Sequence, residues 1–224
     1  MVEYKIIRSK RKTAGIYILP DATVEVRCPN HTPIAYIEAF VRQKETWILQ
    51  KVSEKQAEQK QKTALVFSEN TNLLFLGKEY PLHLIEEARA GFHGDYFYCY
   101  AKCENPKETL VEVYRKLAER ILVQKAQEFS ETMNCKPIKI KINSAKTRWG
   151  SCSGKNSINF SYKLIMAEET AVDYVVVHEL SHMIEHNHSK QFWNIVESIL
   201  PDYKRRKSSL KTLQKRLLRE GWET

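Results

Sequence analysis

No stretch of this 224-residue chain approaches the roughly 18 apolar residues that a membrane-spanning helix requires, and Met1-Val2-Glu3-Tyr4-Lys5 does not lead into an apolar signal-like segment. The expectation is no membrane and a cytoplasmic location. Cysteine is scarce and odd in number: the five residues, at positions 28, 99, 103, 135 and 152, argue against a complete internal disulfide framework and fit reduced thiols. Cys99 and Cys103 stand four apart, but no second close pair accompanies them. Their context, Tyr96-Phe97-Tyr98-Cys99-Tyr100, reads as a packed strand with small buried side chains rather than a metal site. Nothing in the chain marks an autoinhibitory propeptide, a fixed specificity pocket or a DNA-reading module.

What is present is an ordinary globular composition. With 42% hydrophobic and 28% charged residues, the chain can bury one substantial core or two modest ones. The N-terminal part reads as sheet with a helical insertion. Residues 15–19 and 23–27 are short extended segments across the Pro20-Asp21 turn signal, and Ile34, Ile37, Phe40 and Val41 carry the helical period from Pro33. The Lys, Glu and Gln-rich stretch 51–62 is either an exposed helix extension or a connector. Short strands are expected near 64–67, 72–76, 79–84 and 94–100, with Gly77 and Gly94 as turn residues. These segments delimit a β-rich region over residues 1–104.

Residues 105–224 have a different rhythm. Pro106 opens a helix whose apolar face, Leu110, Val113, Leu117, Ile121 and Leu122, runs to about residue 130. Ile138, Ile140 and Ile142 alternate with lysines as in a half-buried strand, and Gly150 and Gly154 permit a tight reversal before the extended segment 157–161. Glu168-Glu169-Thr170 introduces a helix in which Tyr174 to Val177 pack into the core. The fold class is α+β.

The decisive cluster follows that apolar run. In His178-Glu179-Leu180-Ser181-His182 the two histidines, four apart, lie on one helical face, so both imidazoles can meet one metal while Glu179 is available as a general base. His186 continues the spacing, but in an unbroken helix it would lie about 12 Å along the axis from His178. His188 is better placed if the helix ends near Asn187, a residue type that tolerates the left-handed conformation. Glu185 and Glu197 remain alternative carboxylate ligands. Cys152 reads as structural rather than nucleophilic, and Phe192-Trp193 as a hydrophobic clamp for the following helix. Arg148 either orients a substrate carbonyl or carboxylate or braces an acid in the core.

Arg148-Trp149-Gly150-Ser151-Cys152, Ile158-Asn159-Phe160, Asp173 to His182, Asn187-His188-Ser189 and Phe192-Trp193 together resemble the YgjP-like metallopeptidase family, related to SprT-like zinc peptidases. The strongest motifs occupy residues 148–193, with weaker similarity from the Arg8–Pro29 region through Trp47-Ile48. The resemblance implies a zincin-like catalytic domain with an H-E-x-x-H helix, metal ligands at His178, His182 and His188, and Glu179 as the catalytic acid/base. Ser181 departs from the alanine of many relatives, a change a helix accepts.

Three neutral histidines leave zinc, one ion per chain, with an open position for water, and Glu179 would move the proton. Arg148 or Tyr162 could assist the developing oxyanion. The expected partner is a protein or peptide substrate. The formal net charge of +9, with Lys204, Arg205, Arg206, Lys207, Lys211, Lys215, Arg216 and Arg219 near the C-terminus, supports at most a weak, nonspecific nucleic-acid contact. A second class stays in view: a zinc-containing nucleic-acid- or protein-binding module with little or no catalysis.

Overall fold

The computed structural model describes residues 2–60 and 65–222. It is α+β, with three small sheets and six α-helices among the described residues. The chain forms two compact units. The first comprises the described residues up to 60 together with Leu218–Trp222, and the second comprises Leu65–Leu217.

In the first unit β3 (Val24–Pro29) is central, parallel to β1 (Lys5–Ser9) and antiparallel to β2 (Gly15–Ile18). β3 alternates between buried and half-buried residues, as a strand with one face on a core must. Val24, Val26 and Cys28 on that face pack with Ile37 and Val41 of α1 (Ile34–Gln43) and Ile48 of α2 (Glu45–Lys60). The polar stretch after Lys51 is a continuation of α2 as far as Lys60; residues 61 and 62 lie outside the described residues. β1 escaped sequence reading because all five of its residues are exposed, which erases the alternation that marks a strand.

The second unit opens with a four-stranded sheet in the order β4-β5-β7-β6: β4 (Asn72–Phe75), β5 (Lys78–Ile85), β6 (Gly91–Phe92) and β7 (Phe97–Tyr100). No strand occurs over residues 65–67, and residue 64 lies outside the described residues. The expected strand over 94–100 begins only at Phe97, because Gly94 (φ 88°) holds a turn. Leu76 and Gly77, both at positive φ (47° and 77°), make the two-residue reversal between β4 and β5.

That turn explains why the compact units divide the chain near residue 64, whereas the sequence reading set a boundary at 104. Leu76 N–H donates to the Ile165 carbonyl at 2.7 Å, and a Cβ on Gly77 would stand 2.8 Å from the Glu168 backbone. Tyr114 of α3 (Pro106–Thr132) donates its buried hydroxyl to the Leu74 carbonyl at 2.7 Å. β4–β7 are thereby built into the same core as the helices that follow.

The third sheet has the order β8-β10-β9, with β8 (Lys139–Asn143) parallel and β9 (Gly150–Cys152) antiparallel to the central β10 (Ser157–Ser161). Gly150 lies within β9, whereas Gly154 lies in the turn between β9 and β10, where Asn156 (φ 54°) takes the left-handed position. A 3₁₀ helix (Tyr162–Met166) leads into α4 (Glu169–Ser181), followed by α5 (Lys190–Ile199) and α6 (Tyr203–Arg219). An ion network joins three of these helices: Lys125 reaches Glu169 and Asp173 at 2.8 and 2.7 Å, and Arg206 reaches Asp173 and Asp202 at 3.6 and 2.7 Å. No described helix is long and apolar enough to cross a membrane.

Candidate metal centre

α4 is apolar on nearly every side. Ala171, Val172, Val175, Val176, Val177 and Leu180 are all buried, so the helix is a core element that fixes its polar residues rigidly. It ends at Ser181, six residues before the expected stop at Asn187, which does not adopt a positive φ. The Ser181 hydroxyl donates to the Val177 carbonyl at 2.7 Å, and Met183 and Ile184 N–H groups close three-residue turns onto Leu180 and Ser181. The helix therefore tightens and stops with His182 at its C-cap. The loop after it is pinned by Asn187 N–H on the Glu185 carboxylate and by Ser189, whose hydroxyl caps α5 at the Phe192 N–H.

This turn carries His188 back over α4. The ligand nitrogens of His178, His182 and His188 all lie within 4.8 Å of one another, and the two Nε2 atoms of His178 and His188 are 3.1 Å apart. Three nitrogens arranged tetrahedrally about an ion at about 2.0–2.1 Å would be about 3.3 Å apart, so the cluster fits a metal of zinc's size. The protonation states fit as well. Burial, then the neighbouring imidazoles, pushes His178 down to about 3, which keeps it neutral. His182 Nδ1 faces the Glu185 carbonyl at 3.3 Å; a carbonyl only accepts, so the proton sits on Nδ1 and Nε2 keeps its lone pair. Among the described residues His178 Nδ1 is buried without a hydrogen-bond partner, and aromatic contacts surround its ring instead. Phe192, fully buried, lies 4.5–4.9 Å from all three imidazoles, and Trp193 stacks on His188 at 5.7 Å.

Glu185 faces the loop it pins, Glu197 is exposed on α5 and His186 is exposed in the turn; none of them joins the histidines among the described residues. Tyr162 is buried beside Tyr114 and does not line the cleft, so it is not an oxyanion donor.

Glu179 is 5% exposed and held between α4 and β9. Its carboxyl is pushed up to about 7 by burial, opposed by the Cys152 backbone N–H that it accepts and by the Arg148 guanidinium. A Cβ on Gly150 would stand 2.7 Å from the Glu179 Cγ and Oε1. That close approach, between residues 29 positions apart in sequence, had no local signal. Cys152 itself is pushed up to about 11 by burial and by Glu179, so its thiol is a poor nucleophile.

The site opens into a cleft of about 580 Å³ whose walls include Arg148, Trp149, Gly150, Tyr174, Trp193 and residues of α6. Arg148 is exposed there, and its guanidinium also acts on the buried Glu179 carboxyl. Trp193 is more than a clamp, since it lines the cleft as well as stacking on Tyr203 at 5.3 Å.

A metal-fitting histidine cluster beside a buried carboxylate in an open cleft is a site of the metallopeptidase class. The chain belongs to the YgjP-like metallopeptidase domain family, whose model matches residues 12–213. Among solved structures it is similar to the metallopeptidase zymogen abylysin of Pyrococcus abyssi, with 21% identity over 41% of this chain and 93% of that one and a TM-score of 0.39. It is also similar to the metallopeptidase zymogen jannalysin of Methanocaldococcus jannaschii, with 23% identity over 42% and 95% and a TM-score of 0.37. No curated protein matches the chain.

Proposed function

We propose that the chain is a zinc-dependent peptidase that holds one ion through His178, His182 and His188 and uses Glu179 as its general acid and base. The observation that carries this reading is the convergence of three imidazoles beside a buried carboxyl that Gly150 admits and the Cys152 N–H holds. Zinc held there would supply Lewis acidity, making water a nucleophile near neutral pH and polarising the scissile carbonyl. Glu179 takes the proton of the attacking water and returns it to the departing amine nitrogen. Gly150 leaves room for that carboxyl, and the Cys152 N–H fixes it. The Arg148 guanidinium at the cleft wall is positioned to orient a carbonyl or carboxylate of the substrate. β9 is an edge strand, which suits it to pairing with an extended peptide.

The test is cleavage of a peptide library by zinc-loaded protein, with Glu179→Gln as the matched control. Cleavage lost in the variant at equal metal occupancy supports the reading. Absence of cleavage across the library, with the metal in place, would favour the zinc-containing binding module instead.

A further inference from the structure

The basic residues of α6 are of two kinds. Arg205, Arg206 and Arg216 are paired with acids, reaching Asp202, Asp173 and Glu79. Lys207 and Lys211 make no salt bridge among the described residues, and both line the cleft beside the histidine cluster. They stand one helical turn apart, and Leu210 and Gln214 complete the same face at the i+3 and i+7 positions. Leu210 is buried, which fixes this face as the cleft wall.

Lys207 is close to the chemistry. Its Nζ lies 4.8 Å from the centre of the Trp193 ring, and that ring stacks on His188 at 5.7 Å. Arg148 contributes a third cation from the opposite side of the sequence, on the strand-leading segment before β9. Against these three, the cleft has one acid among the described residues, Glu179, which is buried, accepts from the Cys152 N–H and is within the field of Arg148, so the two lysines are left without an acidic neighbour in the cleft. Like charges at i and i+4 on a helix repel, and the apolar walls supplied by Tyr174, Trp193 and Leu210 screen the field poorly. An anion entering the cleft relieves that repulsion.

We propose that Lys207 and Lys211, with Arg148, form an anion subsite that takes a carboxylate of the peptide substrate next to the scissile bond. The inference rests on the peptidase reading for its substrate class. Peptides carry such a group as an Asp or Glu side chain or as the C-terminal carboxylate, and Lys207 and Lys211 are specificity-determining residues for either.

The test reads binding by calorimetry on full-length, zinc-loaded Glu179→Gln protein. Three octapeptides serve as probes: one amidated with a central glutamate, one amidated with a central glutamine, and the glutamine peptide with a free C-terminus. A partly exposed charge pair shifts an equilibrium by at most about fivefold, so two lysines predict an advantage on the order of tenfold for the charged peptide at low salt. Tighter binding of the glutamate peptide assigns the anion to a side chain, and tighter binding of the free-terminus peptide assigns it to the α-carboxylate. The advantage should shrink in about 1 M salt, where the Debye length is about 3 Å. It should also disappear in Lys207→Gln/Lys211→Gln protein and persist in Lys215→Gln, which removes a charge of the same helix outside the cleft. Equal affinity for all three peptides overturns the proposal, as does a preference that survives the double substitution or is equally lost in Lys215→Gln. Preferential binding without cleavage of any peptide by the unsubstituted protein would leave the subsite standing and remove peptide hydrolysis.

Discussion

Gly150→Ala adds a methyl group where the Glu179 carboxyl already sits. The new Cβ would lie 2.7 Å from Cγ and Oε1 and 2.9 Å from Cδ, against an ordinary contact of 3.4 Å or more. Gly150 does not sit at a positive φ, so alanine strains no backbone angle and the perturbation is steric alone. β9 is paired through Gly150 to Phe160 of β10, and α4 is locked in the core, so the carboxyl has to give way. The required shift is about 0.7 Å from the difference between those two distances, and a misplacement approaching about 1 Å costs about 10²-fold in rate when it moves a catalytic group. Overpacking of this kind costs about 1–3 kcal/mol of stability. The assay is initial cleavage rate at matched zinc occupancy, with thermal melting as the folding control. Because the damage is assigned to Glu179, Gly150→Ala should cost little further rate when added to Glu179→Gln. Wild-type turnover by folded, zinc-replete Gly150→Ala protein would refute the claim that β9 sets the position of the base, and additive losses would assign Gly150 some other role.

Glu179→Gln should keep fold and metal while losing about 10²–10⁴ in rate, read as initial velocity; native-like turnover would require another base. His188→Ala should lower the metal content from one ion per chain in elemental analysis, and unchanged content in folded protein would shift the third ligand to Glu185, His186 or Glu197. In metal-free protein, the Glu179 carboxyl pushed from an ordinary 4.5 up to about 7 binds its proton more tightly when folded, so its contribution to stability is lost as pH rises between those values. His178, pushed down to about 3, contributes the opposite slope up to its ordinary 6.5. The difference between wild type and Glu179→Gln in denaturant melts isolates the glutamate and should change by on the order of 3 kcal/mol across that window; parallel curves would contradict its burial. Duplex DNA should bind weakly and lose affinity steeply with salt, and tight sequence-selective binding would overturn that expectation.

The legible part of the site was the part encoded locally. His178 and His182 share a face because of helical spacing alone, and Glu179 follows from adjacency. His188 was harder to place, because its reach depends on where α4 stops. The Ser181 hydroxyl bond and the turns after it end the helix earlier than an asparagine rule predicts. Gly150 was visible as a glycine, but its purpose lies in a contact across 29 residues that no periodicity reports. The same holds for Lys207 and Lys211: their charge was plain, and the fact that they wall the cleft depends on how α6 packs. The division of the chain near residue 64 was hidden in the Leu76–Gly77 turn, whose partners Ile165 and Glu168 lie about 90 residues later.

Leu218–Trp222, at the far end of the chain, belong to the same compact unit as β1–β3, with Trp222 3% exposed. The second unit is thus an insertion within the first. During vectorial synthesis, residues 65–217 are available to fold, and the three histidines to converge, before the first unit has received its last segment. A chain released after residue 217 should therefore acquire metal yet retain an unfinished N-terminal unit, so proteolytic sensitivity should concentrate there and spare the histidine cluster.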